Sequence, residues 1–396
     1  MIQYHEAGEF NAGAELKLLV AINSLDSGGA EKSALKLAAG LHRDGNEVVF
    51  LTFTSNLDFY ESLSYFPRIT LDARSHGSPT RTLKRFLPRR LFFWIDQMVR
   101  IIRLRKVISD CKPDCVISIS ASVAVFVYIS TLFLKVPQVG SERINPDKNV
   151  FSHGKIVDIM RPFIYRHGVI LSVQTKGIQK WCHASWNCES VVTPNHLSFH
   201  PQLGNSNKAL EYLDLPSGGF ILAIGRDHPQ KNFDFLLKVW KQYEFIGGSR
   251  ELVIVGPVDP KRLELSIQHL GIRNARIFAR TLDLSPFYES AQLFVSTSGF
   301  EGFPNVILEA LSFGIPVIST PSCDLIREFE LGGCCVMTDS SSEFDFAEKL
   351  KSIEENEMLR ENMSQRAVDV SLSYSWEIVR DSWYECISLA ISRQRD

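Results

Sequence analysis

The chain has 396 residues, 45% of them hydrophobic and 22% charged, with a formal net charge of −2. That length predicts two domains rather than one core, and the balance excludes collagen-like and disordered classes. The near-neutral charge gives no sign of a nucleic-acid partner. Eight scattered cysteines, without a Cys-x-x-Cys pair or zinc spacing, predict buried free thiols in a reducing cytoplasm.

Residues 1–15 are a polar, acidic tail with no signal-peptide pattern. Leu16 to Asn23 predicts a buried strand. Ser27-Gly28-Gly29-Ala30-Glu31 then turns into a helix with Ala30, Ala34, Leu37, Ala38 and Leu41 on one face, and Glu47 to Phe53 is the next strand. Strand, glycine turn, helix, strand is a parallel βαβ unit, and glycines there let backbone approach a ligand at the helix start.

Arg81 to Lys106 interleaves nine basic residues with Phe86, Phe92, Phe93, Trp94 and aliphatics, against one acid, Asp96. The pattern suits an anionic membrane surface. It equally suits an amphipathic helix with a core face and a solvated basic face. Cys115 to Leu134 carries no charge over twenty residues, long enough to span a bilayer. The alternating Ser118, Ser120 and Ser122 favour a buried strand running into a buried helix. Pro137 to Arg143 predicts a strand with Glu142 and Arg143 at its carboxyl end, where open α/β sheets place ligands; a surface ion pair is the alternative. Strands at Ile170–Gln174 and Ser190–Pro194 follow, then a polar, turn-rich linker at 201–208.

The second half repeats the alternation. Strand Phe220 to Ile224 runs into Gly225-Arg226, and a helix opens at Lys231-Asn232. Further strands are expected at Glu251–Gly256, Ala275–Phe278, Leu293–Val295 and Ile315–Ser319. After Val295 comes Gly299-Phe-Glu301-Gly302-Phe303-Pro304-Asn305-Val306-Ile-Leu-Glu309-Ala-Leu311. Pro304 suits the first helical position, which would leave the amides of Asn305 and Val306 free for a phosphate. Glu301 and Glu309 add carboxylates for hydroxyl groups. Arg226 and Lys231, five residues apart, can clamp a diphosphate. A solvated helix face and a plain turn are the bland explanations of each residue alone.

Assembled, Glu301-Gly-Phe-Pro-Asn-Val-Ile-Leu-Glu309-Ala resembles the signature of the retaining glycosyltransferases of family 4, which have the GT-B fold: two Rossmann-like α/β domains facing across a cleft. The resemblance covers nearly the whole chain after the tail and is strongest in the second half. It implies an N-terminal acceptor-side domain at 16–203 and a nucleotide-sugar-binding domain at 204–373. A C-terminal helix at 374–396 then crosses back to the first domain. It assigns Glu301 to the donor sugar, Glu309 to the ribose diol, and Arg226 and Lys231 to the leaving diphosphate. Gly225, Gly302, Phe303, Pro304, Asn305 and Val306 complete the donor site. Gly28 and Gly29 match the family's Gly-Gly-Ala-Glu turn, which lines the cleft between domains, and Glu142 and Arg143 match an acceptor-side or cleft Ser-Glu-Arg of the branch that uses lipid-linked sugars. Ala279-Arg280 and Asp324-Leu325 depart from the family pattern around the base and outer donor pocket.

The implied activity is sugar transfer with retention from a nucleoside diphosphate sugar, UDP-linked or GDP-linked with UDP expected. The acceptor would be a lipid-linked sugar or growing glycan at the inner membrane face, in lipopolysaccharide, capsule or glycoprotein-glycan synthesis. The leaving diphosphate is thought to help deprotonate the acceptor in that family, so no enzymic nucleophile is expected. No Asp-x-Asp occurs, so neither a metal nor another cofactor is expected. The rival expectations are a 2-epimerase of UDP-N-acetylglucosamine on the same fold and a non-catalytic, nucleotide-binding partner subunit.

Overall fold

The computed structural model describes residues 15–25, 28–54, 66–71, 88–146, 154–197, 215–216, 218–339 and 342–394. The expected linker at 201–208 and most of the tail lie outside the described residues. So do Ser27, Arg81, Lys84, Arg85, Phe86 and Leu87, and the side chains of Arg89, Arg90, Leu91, Phe92 and Phe93. The chain divides into two compact units, one formed by Met1–Thr193 with Val379–Asp396 and the other by Pro194–Ile378.

In the first unit, β1 (Lys17–Ile22), α1 (Gly29–Arg43), β2 (Glu47–Thr52), β3 (Arg68–Thr70) and α2 (Arg89–Cys111) come first. They are followed by β4 (Cys115–Ile119), α3 (Ala121–Ser130), β5 (Gln138–Glu142), α4 (Lys155–His167), β6 (Ile170–Val173), α5 (Lys176–Trp186) and β7 (Ser190–Val192). The strands form one parallel sheet in the order β3-β2-β1-β4-β5-β6-β7. Leu18 to Ala21 and Cys115 to Ile117 are fully buried, as continuous apolar runs must be when helices cover both faces of a parallel sheet.

The charge-free run from Cys115 resolves into β4 and α3. α3 ends at Ser130, too soon to cross a bilayer, and no described helix is long and apolar enough to do so. α2 stops where Lys112 takes a left-handed φ of 47° ahead of Pro113.

In the second unit, β8 (Phe220–Ile224), α6 (Phe233–Phe245), β9 (Leu252–Val255), α7 (Lys261–Leu270), β10 (Ala275–Phe278), α8 (Ser285–Ser290) and β11 (Ala291–Ser296) come first. Then follow α9 (Asn305–Ser312), β12 (Val317–Ser319), α10 (Asp324–Leu331), β13 (Cys335–Met337), α11 (Glu343–Glu355) and α12 (Glu357–Leu372). This sheet is also parallel, ordered β10-β9-β8-β11-β12-β13. In both sheets the first strand sits beside the fourth, so the winding direction reverses there, as in Rossmann-like folds.

The last helix, α13 (Trp376–Arg393), begins among second-unit residues. From Val379 onward it belongs to the first unit. There Trp383 is buried, Tyr384 accepts a 2.7 Å hydrogen bond from the Asn46 amide, and Arg393 pairs with Glu189 at 3.2 Å. All eight cysteines are free. Six are buried, and Cys111 and Cys323 are only partly so, which corrects the expectation of uniformly buried thiols.

Candidate active site

In the second sheet the reversal point lies between β8 and β11, and open α/β sheets leave a crevice there beyond the strand ends. Gly225 and Arg226 follow β8 directly, and Gly299 to Pro304 joins β11 to α9. The two loops are tied together by backbone: the Gly299 amide donates to the Gln230 carbonyl at 2.9 Å. Thr297 donates to the Lys231 carbonyl at 3.0 Å, and Thr320 to that of Ser298 at 2.7 Å.

Across this junction the Lys231 ammonium donates to Glu301 Oε1 at 2.7 Å. Gln230 Nε2 donates to the other oxygen, Oε2, at 3.0 Å and to the Phe300 carbonyl at 3.0 Å. The Glu301 amide itself donates to the Ser322 carbonyl at 2.9 Å. Glu301 is therefore held at its backbone and at both carboxylate oxygens while only 9% exposed, and a carboxylate so shielded from water is oriented firmly by its charge-assisted bonds. The glycine at 225 makes this possible. A Cβ there would stand 2.9–3.0 Å from Cγ, Cδ and Cε of Lys231, whose stem lies over the bare backbone.

Helix α9 begins one residue later than expected. Pro304 is its N-cap, with φ −84° and ψ 71°, rather than its first helical residue. The Asn305 amide donates to the Phe303 carbonyl at 3.0 Å, so it is not the free anion donor anticipated. The Asn305 side chain accepts from Asn195 Nδ2 at 2.7 Å. Gly302 and Pro304 are buried in the loop, while Val306 is half-buried on the first turn. Phe303 lies in the core, edge-on to Tyr374 with ring centres 5.8 Å apart.

Glu309, 8% exposed, accepts from the Tyr288 hydroxyl at 3.2 Å. Burial, with Glu309 beside it, pushes the Tyr288 phenol well above its usual range, so it remains a donor. Cys323 adjoins the loop and is pushed up to about 12 by burial, which leaves it an unreactive thiol.

Arg226 is exposed and, among the described residues, the structure does not bring it into an ion pair with Glu301. The loop bearing it is pinned from another side. Arg262 on α7 forks onto Asp227, its Nε donating at 2.5 Å, and reaches Asp234 on α6 at 2.7 Å. Gln230, Tyr288 and Arg262 were not foreseen. Gln230 stands next to a singled-out lysine, whereas Tyr288 sits in an apolar stretch that resembles any core segment.

In the first unit, Gly28 caps α1 in extended geometry, and the Glu31 carboxylate folds back over it, where a Cβ would lie 1.9 Å from its oxygen. Gly29 accepts from Ser33 Oγ at 2.7 Å. Glu142 and Arg143 do not form the alternative surface ion pair. The Glu142 carboxylate is 3% exposed, accepts from the Tyr165 hydroxyl at 3.0 Å and faces Arg161 at 3.8 Å. Burial raises its pKa, and Arg161 opposes the shift. Alternation along the strand sends Arg143 the other way, over the Trp383 ring at 5.7 Å, with its pKa lowered to about 10 by burial. Among the described residues no three His, Cys, Asp or Glu side chains converge as a metal site.

Residues 215–370, nearly all of the second unit, match the family described as Glycosyl transferases group 1. The chain folds as GT-B glycosyltransferases do, with two Rossmann-like parallel-sheet units. It superposes on the crystal structure of Anabaena Alr3699/HepE in complex with UDP-glucose with a TM-score of 0.75, covering 94% of this chain and 100% of that one at 17% identity. For WaaG, described as a glycosyltransferase involved in lipopolysaccharide biosynthesis, the TM-score is 0.68 at 16% identity, covering 93% and 98% of the two chains.

Among curated relatives, the amylovoran biosynthesis glycosyltransferase AmsD of Erwinia amylovora is 25% identical over 382 residues, 94% of this chain and 99% of that protein. A Campylobacter jejuni alpha-1,4-N-acetyl-D-galactosaminyltransferase, whose name specifies a diNAcBac-PP-undecaprenol-linked acceptor, is 24% identical over 389 residues, 94% and 98% of the two chains.

Proposed function

We propose that this chain is a retaining glycosyltransferase that moves a sugar from a UDP-linked donor to a lipid-linked or glycan acceptor in cell-surface polysaccharide synthesis. The observation that carries the proposal is the Lys231–Glu301 contact of 2.7 Å across the reversal point of the second sheet. A cation and an oriented carboxylate held together at such a point support a site at which a diphosphate and its sugar would meet. Lys231, with Arg226 on the same loop, stabilises the negative charge that grows on the departing diphosphate. Glu301 orients the donor sugar, and Glu309 holds the ribose hydroxyls. The departing phosphate oxygen takes the acceptor proton, so the reaction needs no protein nucleophile.

Two cations supply the charge that a metal would otherwise bring, so the proposed reaction is metal-independent. UDP as the carrier is supported by the UDP-glucose complex of HepE. A lipid-linked acceptor is supported by the name of the Campylobacter relative. Such an acceptor would keep the enzyme peripheral at the inner membrane face.

A screen of UDP- and GDP-sugars, read by released nucleoside diphosphate with and without EDTA, tests this. One UDP-sugar is expected to be hydrolysed slowly and without need of metal, and Lys231→Ala should reduce release by roughly 100-fold or more. Unchanged release by Lys231→Ala would place the diphosphate elsewhere, and no release from any donor would remove the enzymatic reading.

A further inference from the structure

The second unit begins at Pro194, and the next residue ties that entry to the loop bearing Glu301. Asn195, 5% exposed, donates through Nδ2 to Asn305 Oδ1 at 2.7 Å, across 110 positions of sequence. Asn195 is fixed in turn by its neighbours. The His196 ring stands 4.7 Å from that of Trp376, and the Leu197 amide donates to the Tyr374 carbonyl at 2.9 Å. Tyr374 meets Phe303 edge-on, and the Phe303 carbonyl accepts from the Asn305 amide at 3.0 Å. A closed ring of contacts therefore runs from Asn195 through Asn305, Phe303, Tyr374 and Leu197 back to Asn195.

A neutral amide pair adds little to stability, because each partner exchanges a bond to water for one within the protein. What the pair does fix is direction. A carboxamide carries its accepting oxygen and its donating nitrogen on opposite branches. With Oδ1 drawn to Asn195, the Asn305 NH2 branch faces the other way. The backbone amide of Asn305 already donates to Phe303, so the side chain is what this residue can offer an anion.

We propose that Asn195 is a positioning residue for the donor. It turns the Asn305 carboxamide so that Nδ2 donates to the phosphate that carries the sugar. Lys231 and Arg226 supply charge to the diphosphate, and a neutral N–H held in one orientation supplies direction. The inference rests on the transfer reading and deepens its donor site.

Calorimetric titration of the full chain with UDP and with UMP tests it. UMP keeps the base, the ribose and the first phosphate and lacks the second. Asn195→Ala should weaken UDP binding by about tenfold and leave UMP binding within about twofold. Asn195→Asp should weaken UDP binding further than Asn195→Ala does, because a carboxylate attracts the NH2 branch of Asn305 and turns its oxygen toward the phosphate. Asn305→Ala should show the same selective loss, and adding Asn195→Ala to it should weaken UDP binding no further. Preserved UMP binding shows in each variant that the fold has survived. Equal losses of UDP and UMP in Asn195→Ala would reduce Asn195 to a structural role. UDP binding equal to the parent's, an Asn195→Asp variant that binds UDP better than Asn195→Ala, or additive losses in the double variant would each overturn the proposal. A parent that binds neither nucleotide would remove the transfer reading itself, and this inference with it.

Discussion

At Glu301, two donors, Lys231 and Gln230, each take one carboxylate oxygen, and Gln230 alone also donates to the neighbouring Phe300 carbonyl. Gln230→Ala should leave Lys231 in place yet free the second carboxylate oxygen to rotate. The expected result is a lower kcat with little change in donor KM, and partial recovery in Gln230→Asn should not occur because the shorter amide cannot span to Oε2. Steady-state kinetics against donor concentration would decide it. Tyr288→Phe, in contrast, removes the donor to buried Glu309 and should raise donor KM while sparing kcat.

In the other unit, Glu142 offers a pH signature. Its folded pKa is raised, so the folded state holds the proton more tightly than the unfolded chain does. The associated stability is fully present below the ordinary carboxyl range and is lost as pH rises through the raised value. Denaturant midpoints measured across that window should fall in the parent. They should stay flatter in Glu142→Gln, which can still accept from Tyr165.

The elements that make the site are two strand-to-helix loops, and the glycine within one of them and the glycine in the neighbouring loop after β9 have different duties. At Gly225 a methyl group would press on the flexible Lys231 stem, so Gly225→Ala should keep the fold and displace the ammonium, lowering turnover with little change in thermal midpoint. Gly256 has φ +117°, and a Cβ there would lie 2.7 Å from the Gly225 carbonyl oxygen, which is backbone and cannot step aside. Gly256→Ala should therefore cost about 1–3 kcal/mol of stability, seen as a lower denaturant midpoint. Arg262→Ala should leave stability almost unchanged but loosen the loop bearing Arg226, raising donor KM.

Most strands were legible because they are buried, continuous apolar runs. β3 and β13 were not, being three residues long and in part exposed. Glu301 and Lys231 were legible as residue types in a pattern. Their mutual contact was not, because it spans seventy positions and exists only once β8 and β11 lie side by side. The start of α9 was misplaced by one residue because Pro304 tolerates the N-cap as readily as the first turn, and only the path of the Glu301 loop decides between them.

For the molecule as a whole, the two sheets share one winding plan, and each has its reversal point beside its fourth strand. Among the described residues, only the second assembles a cation and a carboxylate there. The first unit, however, is discontinuous in the chain. Its Val379–Asp396 segment comes after all of the second unit, and Arg143 and Asn46 find their α13 partners only there. During synthesis, chains emerge at about 5–20 residues per second. The 185 residues from Pro194 to Ile378 would thus pass the ribosome before Trp383 could cover Arg143. The unit translated second can complete its own core first, while the earlier one waits roughly ten seconds or more with a partly open core. A holdase that shields nascent chains would then be expected to act on the earlier-made half.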